Sequence, residues 1–272
     1  FGGARLQVST KAFGAPGPGI EQGMVHDRGN GEYNVQFTST LAGKVAVVVE
    51  CAGQSRIFEV NVEASDVVIG KCTIDKKGLE KWSAGDPGKV VLTLRDRFGN
   101  FAHSSKSLLE FEARASGPGG VVVDRNMLDD GRIEFVLNTT VTGIYKVAVS
   151  CSDTKEDLKG CPFEARMGTG NLSQAGCTAT LQSITSSTKG PGAKAAAFGA
   201  CAAMAGEEIT AIVEARDRYG NSTQFSGENV VVSAYGPAHM PAERNFEVAD
   251  IRSGRMALRA IFPRAGSYTV SV

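Results

Sequence analysis

The chain lacks net charge, because 29 basic and 29 acidic residues cancel over its 272 residues. This balance gives no electrostatic reason to expect a nucleic acid or an anionic membrane as a partner. No apolar run approaches the roughly 18 residues that a membrane-spanning helix needs, and the start lacks the pattern of a signal peptide. We therefore predict no membrane insertion here, and we expect a fragment of a longer protein that starts at Phe1 and ends within a strand.

Sequence patterns of catalytic and metal sites are absent as well. The three histidines, His26, His103 and His239, stand in unrelated loops without the spacing of metal ligands. The chain has no nucleophile elbow, zinc-protease motif, phosphate-binding loop or EF-hand spacing. We therefore predict that the protein is not an enzyme and has no catalytic residue, no cofactor and no metal site.

Helical periodicity is scarce, whereas turn formers and alternating apolar residues are plentiful. The chain has 33 glycines, and runs such as Tyr145, Val147 and Val149 place apolar residues at every second position. Such alternation is typical of half-buried strands. The composition therefore favours strands and turns over helices.

Three stretches of the chain share one pattern of glycines. Each opens on a glycine and has a second glycine 12 residues later, followed by alternating apolar residues. The pairs are Gly31 and Gly43, Gly131 and Gly143, and Gly254 and Gly266. A Gly-Pro turn precedes each stretch, at Gly17-Pro18, Gly117-Pro118 and Gly236-Pro237. This regularity indicates three copies of one unit of about 100 residues.

A polar hexapeptide also recurs. RDRFGN occupies Arg95–Asn100, and RDRYGN occupies Arg216–Asn221, 121 residues later. Each follows a strand-like run, and its glycine and asparagine are turn formers. We interpret the phrase as the same corner between two strands of a repeated domain, rather than as a duplicated catalytic site.

Short alternating strands with Gly, Pro and Asn turns in units of this length predict an all-β fold of tandem immunoglobulin-like β-sandwiches. The second copy is complete, over 65–168. The first, 1–64, lacks its opening strands. The third, 169–272, lacks its last strand and carries an insertion near 186–203.

The running order of motifs resembles that of filamin-type immunoglobulin repeats. In the second copy the order is DRFGN, ASGPGG, DDGRIEFV, TGIYKVAVS and KGCPFEARM. Where the family's last strand opens with Gly-Ser-Pro-Phe, this chain has Gly160-Cys161-Pro162-Phe163, and the first copy has SRIFEV. Tyr145 and Tyr268 resemble a tyrosine corner, a structural device of such sandwiches, and Val45 takes this place in the first copy.

Six cysteines occupy positions that the repeat relates to one another. Cys51 and Cys151 end the same strand in successive copies, and Cys72 and Cys177 each follow an equivalent phenylalanine by 14 residues. We therefore predict disulfides Cys51–Cys72 and Cys151–Cys177 between neighbouring domains, and Cys161–Cys201 from the two that remain. The alternatives are the local pairs Cys151–Cys161 and Cys177–Cys201, or six reduced core thiols. Disulfides would require an oxidising compartment.

Three N-glycosylation sequons point to the same compartment. They begin at Asn138, Asn171 and Asn221, each at a turn or a predicted domain boundary where a glycan could be tolerated. The alternative interpretation is that these stretches are merely rich in turn formers.

The family resemblance also implies a mode of partner binding. Filamin repeats commonly add a partner's peptide strand beside their third and fourth strands, by β-augmentation. The matching stretches here are Ser107–Ala115 and Gly119–Asn126, with Val121 and Val123 on one face and Val122 on the other. Ordinary core packing is the alternative role for these three valines.

Two functional classes follow from this interpretation. The first is a disulfide-stiffened adhesion or structural rod at the cell surface or outside the cell, which binds other proteins, as the resemblance to filamin-like ectodomains of gamete-surface adhesion proteins implies. The second is an intracellular scaffold of the cytoskeleton or cilium, in which the cysteines would be reduced and the sequons unused.

Overall fold

The structure is a computed structural model that describes residues 6–12, 20–103, 109–183, 204–225, 233–236, 247–252, 254–262 and 268–271. The predicted insertion near 186–203, with Cys201, lies outside the described residues, as does His239. The described residues form β-strands joined by turns, with short 3-10 turns at Ile69–Lys71 and Lys77–Leu79. The prediction of an all-β fold is confirmed.

The strands follow the three copies predicted from the sequence. The first copy contains β1 (Leu6–Ala12), β2 (Ile20–Asp27), β3 (Tyr33–Ser39), β4 (Gly43–Cys51) and β5 (Gln54–Val62). The second contains β6 (Thr73–Asp75), β7 (Gly88–Thr93), β8 (Phe111–Ser116), β9 (Val122–Met127), β10 (Ile133–Asn138), β11 (Gly143–Cys151) and β12 (Phe163–Met167). The third contains β13 (Thr178–Ser183), β14 (Glu208–Glu214), β15 (Ser233–Tyr235), β16 (Glu247–Arg252), β17 (Arg255–Ile261) and β18 (Thr269–Ser271).

The second copy is a seven-stranded antiparallel sandwich. One sheet has the order β6-β7-β10-β9 and the other has the order β12-β11-β8. With the strands lettered A to G along the chain, these are the ABED and CFG sheets of a constant-type immunoglobulin domain. The immunoglobulin-like topology predicted from the sequence is therefore confirmed.

The first and third copies use subsets of the same pattern. In the described residues the first copy forms the sheets β1-β4-β5 and β2-β3, which correspond to strands C-F-G and D-E. The third forms β13-β14-β17-β16 and β15-β18, which correspond to A-B-E-D and C-F. The chain is therefore a tandem array of immunoglobulin-like sandwiches.

The core of the second copy follows from strict alternation along facing strands. On β10, Ile133, Phe135 and Leu137 are buried while their neighbours are half-exposed, and β11 alternates likewise from Tyr145 to Val149. Successive side chains of a strand point to opposite faces, so every second residue enters the core. Full burial of such side chains stabilises the fold by roughly 1.5–3 kcal/mol each.

A tyrosine corner closes this core at one end. The Tyr145 hydroxyl donates to the backbone oxygen of Val141 at 2.5 Å, and its ring packs 5.4 Å from that of Trp82. A Cβ on Gly117 would lie 2.3 Å from the Tyr145 ring, which explains why glycine opens the Gly-Pro turn. In the third copy Gly236 stands equally close to the ring of Tyr268.

Candidate functional site

The repeated hexapeptide folds into a tight turn after the B strand of its domain. In the second copy the Asp96 amide donates to the Asn100 oxygen at 3.1 Å and the Gly99 amide donates to the Asp96 oxygen at 3.0 Å. Gly99 has a φ of 88°, which favours glycine. The same bonds form at Asp217, Gly220 and Asn221 of the third copy. The corner predicted from the sequence is confirmed.

Asp96 is buried at the centre of this turn. Its carboxylate accepts hydrogen bonds from the backbone amides of Ser65 at 3.1 Å, Phe98 at 2.9 Å and Asn100 at 2.9 Å. The Asn100 side-chain amide donates to it as well, at 2.8 Å. Because Ser65 belongs to the segment that enters from the first copy, the carboxylate fastens that linker to the turn.

Asp217 repeats this arrangement in the third copy. It is also fully buried, and it accepts from the backbone amides of Gly170 at 3.0 Å, Tyr219 at 2.9 Å and Asn221 at 2.9 Å. The Asn221 side chain donates to it at 2.7 Å. Gly170 takes the place of Ser65 in the second linker.

The asparagine of each hexapeptide also reaches into the preceding copy. The Asn100 side-chain nitrogen donates to the Thr40 oxygen at 2.8 Å, and its side-chain oxygen accepts from the Ala42 amide at 3.0 Å. Residues 40–42 connect β3 to β4 of the first copy. One amide group therefore binds both a donor and an acceptor of a neighbouring domain's backbone. We call this arrangement of Ser65, Asp96, Asn100 and residues 40–42 the first joint.

The second joint has the same geometry and further contacts. Asn221 donates to the Thr140 oxygen at 2.8 Å and accepts from the Thr142 amide at 3.2 Å. Positions 140 and 142 are the equivalents of 40 and 42, one repeat length later. The Tyr219 ring lies against Gly85 of the second copy, where a Cβ would fall within 2.0 Å of the hydroxyl. We call Gly170, Asp217, Asn221 and residues 140–142 the second joint.

The sequence interpretation missed this role of the hexapeptide. The available signal was that Asp and Asn recur at both ends of the turn in each copy. Many pairs of residues can form a turn of this kind. Few residues other than Asp can accept hydrogen bonds from several amides at once, and few other than Asn can both donate and accept through one short side chain.

The electrostatics of the joints favour the ionised carboxylates. Burial by itself would raise the pKa of Asp96, but hydrogen bonds from the Asn100 side chain and from the backbone of Asn100, Ser65 and Phe98 outweigh it. The pKa is therefore below its ordinary value. The pKa of Asp217 is lowered in the same way, against its burial, by Asn221, Gly170 and Tyr219.

We expect the joints to weaken in acid. A carboxylate whose pKa is lowered by folding contributes stability that is complete above its unfolded pKa of roughly 3.9 and is lost as the pH falls through the lower folded value. Unfolding of the second copy, followed by the fluorescence of Trp82, should be almost independent of pH between about 7 and 5 and should become easier below about 4. Asp96→Asn should reduce this acid dependence. An unchanged acid dependence in that variant would show that other carboxylates cause it.

The cysteines do not meet as predicted from the sequence. The five described cysteines, Cys51, Cys72, Cys151, Cys161 and Cys177, carry unbonded thiols. Cys72 and Cys151 are buried in the core of the second copy, where Cys161 also packs at its edge. The structure therefore places Cys72 and Cys151 in one domain and does not bring together the predicted pairs Cys51–Cys72 and Cys151–Cys177. Cys161–Cys201 cannot be placed, because Cys201 is outside the described residues.

The three sequon asparagines differ in their surroundings. Asn171 is exposed in the second linker. Asn138 is half-buried, and its side chain donates to Asp124 at 3.0 Å. Asn221 uses its side-chain nitrogen in two hydrogen bonds of the second joint. A glycan on Asn221 would replace one of the two N–H donors that the joint uses, so Asn171 is the most suitable acceptor of the three.

The three predicted partner-binding valines lie at the end of an edge strand. Val121 and Val123 pack against the core, while Val122 is 64% exposed. β9 is the last strand of its sheet and β8 is the last strand of the other, so both leave one backbone edge unpaired in the described sheets. A partner strand in β-augmentation adds to an unpaired edge, and partner binding at these valines stays a prediction.

The described part of the chain offers little for chemistry. Nowhere in it do three His, Cys, Asp or Glu side chains lie close enough to hold a metal ion. Two shallow clefts flank the second joint, one lined by Thr169, Ser222, Thr223 and Gln224, the other by Gly85, Gly120, Asn138, Thr139, Thr140 and Tyr219. The ranges that the structure describes contain no helix long and apolar enough to cross a membrane.

Comparisons with known proteins agree with the fold. No family profile matches the sequence, and no curated protein does. The Escherichia coli adhesin FdeC superposes with a TM-score of 0.60 at 17% identity, over 98% of this chain and 80% of that chain. InvD of Yersinia pseudotuberculosis has a TM-score of 0.50 at 14% identity, over 100% and 72%. The filamin domain of Lin-41 matches 39% of this chain and 100% of its own at 18% identity, with a TM-score of 0.33. At these identities the likeness concerns the fold, which is that of tandem immunoglobulin-like domains, and filamin-type membership stays a prediction.

Proposed function

We propose that this chain is a non-enzymatic segment of a cell-surface or extracellular protein, in which immunoglobulin-like domains form a jointed rod for protein–protein adhesion. The observation that carries the proposal is the joint that is built twice with the same atoms. A side chain that satisfies both a donor and an acceptor of the next domain holds the two domains in one register. Fixed register is what a rod needs in order to present a surface at a defined distance.

The domain boundaries belong to this proposal. We place the three domains at 1–64, 65–168 and 169–272. The supporting observation is that the linker residues Ser65 and Gly170 are each bound by the carboxylate of the domain that follows them. The captured residue is therefore the first residue of the second domain, Ser65, and the second residue of the third domain, Gly170.

The proposed location rests on the fold and on the sequons. FdeC is described as an adhesin, and its fold matches 98% of this chain. The exposed Asn171 would accept a glycan only in the secretory pathway. The competing proposal is an intracellular scaffold of filamin-like repeats, which requires neither glycans nor disulfides.

The proposed binding surface is the open edge between β8 and β9. A partner strand would pair with the backbone of β9, while Val122 would offer an apolar contact beside that edge. Val121 and Val123 would hold the strand in place through the core. The Val122 end of this edge lies beside the second joint, because Val122 pairs with Asn138 and Gly120 lines the same cleft as Thr140 and Tyr219.

Surface labelling and glycan analysis of the protein from its own cells test the proposed function. We expect a membrane-impermeant reagent to label the chain on intact cells, and its mass to fall on treatment with an N-glycosidase, with Asn171 occupied and Asn221 unoccupied. Labelling only after lysis, together with an unchanged mass, would support the intracellular scaffold instead.

Adhesion itself is measured by coating beads with the segment and counting attachment to cells that carry the partner. Val122→Glu should reduce attachment, whereas Ile144→Glu, at a residue of similar exposure on β11, should not. Equal attachment of both variants would place the contact away from the β8–β9 edge, and failure of the unaltered segment to attach at all would refute the adhesion role.

A further inference from the structure

Two cysteines of the second copy enclose one end of its core from opposite sheets. Cys72 follows the 3-10 turn at Ile69–Lys71 and directly precedes β6, and Cys151 is the last residue of β11. Their relative exposures are 5% and 0%, and both belong to the same cluster of buried side chains. Because β6 and β11 lie in different sheets, a bond between these residues would join the two layers of the sandwich.

Strand direction opposes the bridges between domains. β4 begins next to the first joint, where the Ala42 amide binds Asn100, and Cys51 comes eight residues after Gly43. At a rise of about 3.3 Å per residue, Cys51 lies roughly 26 Å further along the strand. A disulfide needs Cα atoms about 4.4–6.8 Å apart. Cys51 is therefore at the far end of the first copy, away from Cys72.

The direction of β11 places Cys151 far from the second joint in the same way. β11 begins next to it, where the Thr142 amide binds Asn221, and runs away from the joint to Cys151. Cys177 lies on the other side of this joint, in the third copy. A Cys151–Cys177 bridge would require both an open joint and an open core, since Cys151 has no exposed surface.

We propose that Cys72 and Cys151 form a disulfide within the second domain, linking its two sheets. Two thiols give up two protons and two electrons in this step, and a second disulfide, from a small molecule or an oxidoreductase, accepts them and becomes two thiols. The bridge closes as the domain folds. It rests on the oxidising location proposed above, and it replaces the pairing between domains that the spacing of the cysteines predicts.

The chemistry of the thiols indicates when the bridge must form. Burial raises the pKa of the Cys72 thiol, and the nearby Cys151 shifts the pKa in the same direction. A thiol with a raised pKa is mostly protonated and a poor nucleophile at neutral pH. Exchange therefore has to take place before the core closes, rather than in the folded domain.

The repeat supports this pair over the local alternative Cys151–Cys161. Cys51 stands at the position of Cys151 in the first copy, and Cys177 stands at the position of Cys72 in the third. Cys161, by contrast, has Arg56 as its counterpart in the first copy. Its sulfur accepts a hydrogen bond from the Val149 amide at 3.3 Å.

Peptide mapping tests the connectivity directly. The whole chain is produced in an oxidising secretory pathway, alkylated under denaturing conditions without reductant, and digested with trypsin. The digest separates Cys72 (72–76), Cys151 (147–155) and Cys161 (160–166), and it also gives Cys51, Cys177 and Cys201 peptides of their own. We expect the Cys72 and Cys151 peptides to be joined. Alkylation of both, or a link from either to Cys51, Cys161 or Cys177, overturns the proposal.

Thermal unfolding followed by Trp82 fluorescence gives a second readout. The bridge would close a loop of about 79 residues, so adding reductant should lower the midpoint by about 10 °C or more. Cys72→Ala, Cys151→Ala and the double variant should each lose this sensitivity to reductant, while Cys161→Ala should keep it. A wild-type midpoint that does not respond to reductant contradicts the bridge.

The two readouts separate this proposal from the proposed function. Because the protein for mapping is made in an oxidising pathway, the connectivity is tested whatever the native location of the chain. An intracellular location found by surface labelling would refute the adhesion role but leave the mapped connectivity unchanged.

Discussion

Asp96→Ala should destabilise the second domain by about 3 kcal/mol or more, since hydrogen bonds to a charged group contribute roughly 1.5–3 kcal/mol each. The fully buried carboxylate accepts from the amides of Ser65, Phe98 and Asn100 and from the Asn100 side chain. Alanine removes the acceptor of these four hydrogen bonds. The stability of Asp96→Asn should lie between that of the wild type and that of Asp96→Ala. Asparagine keeps one acceptor oxygen but adds a donor where donors already converge.

The measurement is urea unfolding followed by tryptophan fluorescence. Trp82 is the single tryptophan of the chain and is buried in the second copy, so its signal reports this domain alone. Asp66→Ala is the matched control, because Asp66 is an exposed aspartate of the same linker. We expect the control to remain within about 0.5 kcal/mol of the wild type. A loss in Asp96→Ala no larger than that of the control would show that the carboxylate does not hold the turn.

Asn221→Asp should open the second joint while leaving the second domain folded. The substitution replaces the side-chain nitrogen by an oxygen that would face the Thr140 oxygen and the Asp217 carboxylate, which now lie at 2.8 Å and 2.7 Å. The hydrogen bond to Thr140 across the joint would be exchanged for repulsion between a carboxylate and a carbonyl oxygen, and the hydrogen bond to Asp217 within the third copy for repulsion between two carboxylates. A change of about 3 kcal/mol shifts the population of the closed joint by roughly 100-fold.

Distances between spin labels on the second and third copies measure this effect. In protein produced without glycosylation, the wild type should give a narrow distance distribution and Asn221→Asp a broad one, with the Trp82 unfolding curve unchanged. Asn126→Asp, at an exposed asparagine of β9, is the control for the added charge. Equally narrow distributions in all three proteins would mean that the joint does not fix the arrangement of the domains.

The two experiments separate the roles of neighbouring residues in one hexapeptide. Asp96 and Asp217 act mainly inside their own domains, where they hold the turn and the incoming linker. Asn100 and Asn221 act between domains, because their side chains bind backbone atoms of the preceding copy. A stiff rod needs both pairs of residues. Substitution of the aspartates should lower domain stability, whereas substitution of the asparagines should change the arrangement of neighbouring domains.

Much of the fold was predictable from local patterns. The alternation from Tyr145 to Val149 placed β11 and its buried face correctly, because a strand has a period of two in any context. Glycine at the hexapeptide turn was also predictable, because the positive φ of Gly99 and Gly220 is a local requirement. The placement of Val122 on the opposite face from Val121 and Val123 followed from the same period.

The cysteine pairing shows where reasoning from spacing fails. Equivalent spacing correctly related Cys51 to Cys151 and Cys72 to Cys177. Spacing could not tell which end of each strand lies next to the neighbouring domain. Cys51, at the end of β4, could therefore be placed beside Cys72 as easily as far from it. The position of the joint next to Gly43 determines the direction of the strand and favours a pair within one domain.

By itself, the sequence determined that this chain repeats an immunoglobulin-like sandwich, since strand period, turn residues and repeat length are written in neighbouring residues. Only the tertiary structure decided that the hexapeptide joins one domain to the next and that Cys72 shares a core with Cys151. The physical reason is that Asn100 binds backbone atoms about 60 residues away. Every residue except proline has both a backbone donor and a backbone acceptor, so nothing in the sequence distinguishes Thr40 and Ala42 until folding brings them to the joint.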